Sequence, residues 1–123
     1  MALGLVLVGT LFAQRPYTAN SLNGYGWEKL NDSSKLFYVR GIAEGVSTAR
    51  ASDFPLDLYF PISLSSRELV ASLAIFYSAK ENRIIPVEWA VEVIAEKTKH
   101  GFAWDDVKSQ IDSLRTTAQT WRD

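Results

Sequence analysis

The sequence predicts an all-α fold: a small bundle of four main helices after an N-terminal apolar leader, with a long irregular loop between helices one and two. Three observations predict it. Apolar residues recur at spacings of three and four in separate stretches, the period of a helix with one buried face. Start and stop signals bracket those stretches: Ser65 with Glu68 three residues on, Pro86, and Gly101. The one extended-looking run, Leu58-Tyr59-Phe60, has no alternating partner nearby to pair with.

At 123 residues the chain is long enough for one domain that buries its own core. Residues 1–13 read as a signal peptide, and 14–123 as a single helical domain. The stretch Ala2 to Ala13 is uncharged and almost wholly apolar. It is shorter than the roughly 20 residues a membrane helix needs, and it matches the apolar region of a secretory signal. A basic leader before it is missing, and Leu11 is a poor residue three positions before the break after Ala13. A first buried strand or helix is the competing reading. The expectation is a periplasmic or secreted protein with no stable membrane span once the leader is removed.

The elements follow in order. Arg15 to Leu22 is a short polar lead-in. Gly24-Tyr25-Gly26 reads as a flexible turn and Trp27 to Leu30 as one helical turn. Asn31 to Ser34 is a polar break rich in N-cap residues. The first main helix spans about Ser33 to Thr48, with Leu36, Val39, Ala43 and Val46 on its core stripe. Beside that stripe runs a row of Phe37, Gly41 and Gly45. Glycine costs a helix about 1 kcal/mol relative to alanine, so Gly41 and Gly45 are expected to mark helix packing at close range, with this helix as the hub. The alternative is a weakened or kinked helix.

Arg50 to Ser65 is the irregular loop, with Pro55 and Pro61 biasing their predecessors away from helix. The second helix opens on the Ser65–Glu68 capping box and runs to about Ala79, burying Leu69, Val70, Leu73, Phe76 and Tyr77. Lys80 to Arg83 is a polar turn. The third helix starts at Pro86 and ends before Gly101, with Val87, Ala90, Val91 and Ile94 inward and Glu88, Glu92 and Glu96 outward. The last helix begins at Trp104-Asp105-Asp106, where acids suit the positive end of the dipole. Its seam of Val107, Ile111, Leu114, Ala118 and Trp121 either closes the bundle or holds a second copy, a homodimer through 104–121.

Composition removes several chemistries. There is no cysteine, which excludes disulfides, thiolate metal sites and thiol catalysis. One histidine, His100, cannot build a histidine metal site within the chain. A net charge of −1 with no basic run argues against nucleic acid as a partner. Glu88, Glu92 and Glu96 share a helix face and could offer oxygen ligands to a divalent cation, but one helix does not close such a site and a solvated face explains them. His100 at a helix end reads as a dipole-stabilised cap. No Gly-x-Ser-x-Gly elbow and no phosphate loop is present. The expectation is therefore a protein that is not an enzyme and takes no cofactor.

Large aromatics remain as candidate contacts. Tyr25, Trp27 and Trp89 are candidate surface anchors, since such side chains dominate interface hot spots. Core packing is the competing reading for each. Arg83 either faces a partner or donates to backbone carbonyls in its own turn.

Two stretches carry a family resemblance. Leu36 to Gly45, with Tyr38-Val39-Arg40-Gly41 and then Gly45, resembles the central helix of the Tai-like immunity proteins, which neutralise amidase toxins delivered by type VI secretion. Arg67 to Ile94 resembles the later half of the same family: an amphipathic helix, Glu81-Asn82-Arg83, then Pro86 and another apolar helix. The resemblance covers about half the chain, with an unmatched loop between. It implies an exported helical domain that binds and blocks another protein. The helix-stapling cysteines of that family are absent here, with Trp27 standing about where one is expected, and the Trp104 to Asp123 stretch extends beyond the match. The alternatives are a periplasmic stress or holdase-like helical protein, or a structural domain with no catalytic role.

Overall fold

In the computed structural model, residues 14–51 and 64–121 are described, the side chains of 46–51 excepted. The leader expected at 1–13 and most of the loop expected between Arg50 and Ser65 lie outside them. The described chain is mostly helical, as the spacing predicts.

The lead-in has structure that the sequence did not announce. A short antiparallel hairpin pairs β1 (Tyr17–Thr18) with β2 (Ser21–Leu22). Its turn residues, Ala19 and Asn20, both take positive φ, 51° and 61°, the twist that a two-residue hairpin turn demands. Helix α1 (Gly24–Lys29) follows at once, where a flexible turn was expected for its first half. Asn23 is the physical reason. Its Oδ1 accepts from the Tyr25 and Gly26 amides at 3.0 and 3.3 Å, which are orphan donors of a helix start. The two glycines lower the local propensity, but the cap and the surrounding packing decide.

Helix α2 (Asp32–Ala51) starts from the polar break: Asn31 Oδ1 accepts from the Ser34 amide at 2.8 Å. Val39 is buried, while Leu36 and Ala43 are half-buried. Helix α3 (Ser66–Ser78) begins where predicted, with Ser65 Oγ accepting from the Glu68 amide at 3.1 Å. Leu69, Leu73, Phe76 and Tyr77 are buried along it. The expected polar turn is a 3-10 helix, Lys80–Ile84, and it is not wholly polar in setting. Asn82 is only 7% exposed and ties back by donating Nδ2 to the Phe76 carbonyl at 2.8 Å.

Helix α4 (Val87–His100) has Pro86 as its N-cap, one residue earlier than the first helical position expected for it. Gly101 ends the helix with φ 66°. The amide of Phe102 reaches back to the Lys97 carbonyl at 2.9 Å, so the left-handed residue closes the last turn. Six residues of α4 are buried: Val87, Ala90, Val91, Val93, Ile94 and Ala95. A second 3-10 helix, Trp104–Val107, starts with the Ala103 amide donating to Asp106 Oδ2 at 2.8 Å. Helix α5 (Lys108–Thr120) completes the described chain.

The centre of the fold is α3 with α4, not α2. Helix α3 packs against α2 and also against α4, and the first 3-10 helix touches α1, α3 and α5. The reason lies in the side chains. Helix α4 presents apolar groups over a broad arc, whereas α2 has one narrow buried face and leaves Phe37, Arg40, Gly41, Glu44 and Gly45 exposed. The α5 seam is spent inside the domain. Val107, Ile111 and Ala118 are buried and Leu114 half-buried, while Trp121, the last of the series, is 60% exposed. Among the described residues, no helix is long and apolar enough to cross a membrane.

Candidate functional site

Of the residues the sequence nominated, several belong to one structural knot where α1 meets the 3-10 helix. Trp27 is 1% exposed, so it is a core residue and not a surface anchor. Its ring meets Tyr38 edge-on at 6.2 Å, with Lys35 Nζ 5.6 Å from its centroid. Tyr25 and Trp89 are half-buried and pack against the core. Arg83 is engaged within the chain: Nε lies 3.0 Å from Glu28 Oε1 and 3.4 Å from the Tyr77 carbonyl. The carbonyl it donates to belongs to α3 and not to its own turn.

The glycines expected to pack closely do not. A methyl group built on Gly41 or Gly45 meets nothing within 4 Å, so neither admits a neighbouring backbone among the described residues. The close approaches occur at Gly24 and Gly26. A methyl on Gly24 collides with the Tyr77 ring and falls 2.7 Å from Arg83 Cα; one on Gly26 falls 2.8 Å from the Pro16 carbonyl oxygen and collides with Leu22. Helix propensity alone cannot distinguish these cases, because the neighbours come from distant parts of the chain.

Polar groups on α4 are used one by one. Tyr38 Oη donates to Glu88 Oε1 at 2.7 Å, and Glu96 Oε2 lies 3.2 Å from His100 Nε2. Glu88 and Glu96 thus serve separate contacts, Glu92 is exposed, and among the described residues no group of three His, Asp or Glu side chains is placed to hold a metal ion. Burial holds the Tyr38 phenol well above the usual tyrosine range, helped by its bond to the Glu88 carboxylate. Burial does the same to Tyr77, whose Oη donates to the Ile85 carbonyl at 2.7 Å.

A shallow groove of about 260 Å³ lies between the end of α3 and the face of α5. Its apolar lining comes from Phe76, Ile111 and Trp104, with Ile75, 57% exposed, at the edge. Phe76 and Trp104 stand 6.3 Å apart, ring centre to ring centre, and Lys97 Nζ lies 4.9 Å from the Trp104 centroid. The 3-10 segments contribute the acids Glu81 and Asp105, and α5 contributes the bases Lys108 and Arg115. Sequence reasoning missed this groove. Ile75 sits one position off the α3 core stripe, and that displaced apolar residue was the available signal. No protein-family model, curated protein or solved structure matches the chain.

Proposed function

We propose that this chain is an exported helical binding domain that recognises and blocks another protein, in the manner of the immunity proteins its sequence resembles. The groove under Ile75 is the observation that carries the reading. An apolar centre with an exposed aliphatic residue and a charged rim has the anatomy of a protein-binding patch. Its size suits one large side chain of a partner, laid against Ile75 and the Trp104 ring. The resemblance over Leu36 to Gly45 and Arg67 to Ile94 supplies the partner class: peptidoglycan amidases delivered as toxins. The apolar stretch Ala2 to Ala13 supplies the export.

The test is inhibition. Purified amidases of that class are assayed on peptidoglycan with and without the chain at about 10 µM, a concentration that saturates a site of micromolar affinity. The expected result is loss of hydrolysis for one enzyme, relieved by Ile75→Asp. That substitution places a charge at an exposed position and leaves the fold intact. If every amidase stays active and unbound, the reading is wrong. Export is read separately, by N-terminal sequencing of the chain from a periplasmic fraction, where the mature protein begins at Gln14.

A further inference from the structure

Phe37, Arg40, Gly41, Glu44 and Gly45 lie on one face of α2, within an arc of about 140° at 100° per residue. All five are exposed, Phe37 by 69%. Arg40 and Glu44 stand one turn apart, yet neither belongs to an ion pair among the described residues. Glycine is the least favourable residue in a helix interior after proline, and no described part of the fold uses the space left by Gly41 and Gly45.

We propose that this face pairs with the same face of a second copy of the chain, antiparallel, about a two-fold axis beside Gly41. Running the helices in opposite directions brings Phe37 of each copy over Gly45 of the other, with Gly41 facing Gly41. In this register Arg40 of each copy stands about 3 Å along the axis from level with Glu44 of the other, within reach of its carboxylate. The face is therefore complementary to itself in shape, a ring over a missing side chain, and in charge, two cation–anion pairs related by symmetry. Such self-complementarity is what an isologous dimer requires. A parallel pairing lacks it, because it sets Phe37 against Phe37 and Arg40 against Arg40. Small residues at the crossing let the two backbones approach. One helix face over three turns is small against the roughly 1,200 Å² of stable interfaces. The dimer is accordingly weak, with a Kd on the order of 10–100 µM.

Sedimentation velocity on the full chain, from about 5 µM to about 1 mM, reads this directly. The expected result is reversible monomer–dimer exchange in the unmodified chain. Arg40→Glu and Glu44→Arg each weaken it at least tenfold, and an equimolar mixture of the two variants restores it by swapping the pairs. Gly45→Gln separates the interface from a merely structural role. An exposed helix interior gains from that substitution, so its thermal midpoint rises while association is lost. Association that persists in both Gly45→Gln and Phe37→Ala, a mixture no stronger than either charge variant alone, or a chain monomeric at the highest concentration overturns the proposal.

Discussion

Tyr38 and Glu88 join α2 to α4 through a 2.7 Å hydrogen bond between residues fifty positions apart in the chain. Glu88 Oε1 accepts from the phenol, and Oε2 is buried with no hydrogen-bond partner among the described residues. Among the described residues the carboxylate has one donor, and bonds to charged groups are worth about 1.5–3 kcal/mol. Tyr38→Phe removes that donor and leaves the carboxylate in place. The expected loss is about 1–3 kcal/mol in urea unfolding, while Glu88→Gln, which keeps an acceptor and drops the charge, costs less.

Two buried phenols set an alkaline limit. Tyr38 and Tyr77 both have folded pKa values raised above the ordinary value near 10, chiefly by burial. A raised phenol pKa favours the neutral, protonated form in the fold. On raising the pH past about 10, the unfolded chain gives up these protons first. The stabilisation is present below that point and is lost as pH climbs towards the folded values. The urea midpoint is expected to fall above pH 10, less steeply in Tyr38→Phe. Ultraviolet titration is expected to show two phenols that ionise late, together with unfolding.

Glycines give a contrast of sign. Gly24→Ala drives a methyl into the Tyr77 ring and the backbone at Arg83, and overpacking of this kind costs about 1–3 kcal/mol. Gly41→Ala places its methyl in open space on an exposed helix, and the monomer is expected to gain up to about 1 kcal/mol. Thermal melts of both variants at low protein concentration check the pair.

These cases show what was legible in the sequence. Helix identity for α2 to α5 followed from apolar period, and Ser65 and Gly101 acted as their residue types indicate. What failed were inferences about which particular neighbour a residue meets. Trp27 was open to two readings, surface anchor and core, and its burial against Tyr38 of α2 makes it core. Gly41 and Gly45 looked like contact points because helix period shows which residues share a face, not whether anything lies opposite. Asn82 read as turn polarity, yet its amide is committed to the Phe76 carbonyl. The Ile75 groove combines α3, α5 and two 3-10 segments, so no single window of sequence contains it.

Asn23 is a second residue whose weight is tertiary. Beyond capping α1, its Nδ2 donates to the Arg15 carbonyl at 2.7 Å and to Thr18 Oγ1 at 3.0 Å. It is 2% exposed. Asn23→Ala removes the cap, worth about 1 kcal/mol, and strands buried partners at about 1–3 kcal/mol. A total near 2–4 kcal/mol is expected. Asn23→Asp keeps the cap acceptor but sets a carboxylate oxygen against the Arg15 carbonyl in a buried site, so its cost is expected to be at least that of Asn23→Ala, as chemical denaturation will register.

Arg83 distinguishes architecture from recognition. Its Nε sits 3.0 Å from Glu28 Oε1, with the two side chains 25% and 40% exposed. Exposure and solvent screening limit such a pair to about 0–1 kcal/mol. A double-mutant cycle with Arg83→Ala and Glu28→Ala is expected to return a coupling energy in that range. Arg83→Ala alone costs somewhat more, because its donation to the Tyr77 carbonyl is lost as well. If Arg83 is architectural and Ile75 marks the binding groove, the two substitutions separate. Arg83→Ala lowers the unfolding midpoint and leaves inhibition of a bound amidase intact at temperatures where the fold persists. Ile75→Asp does the reverse. An Arg83→Ala chain of full stability that no longer inhibits would move the binding surface to the α1 side of the molecule.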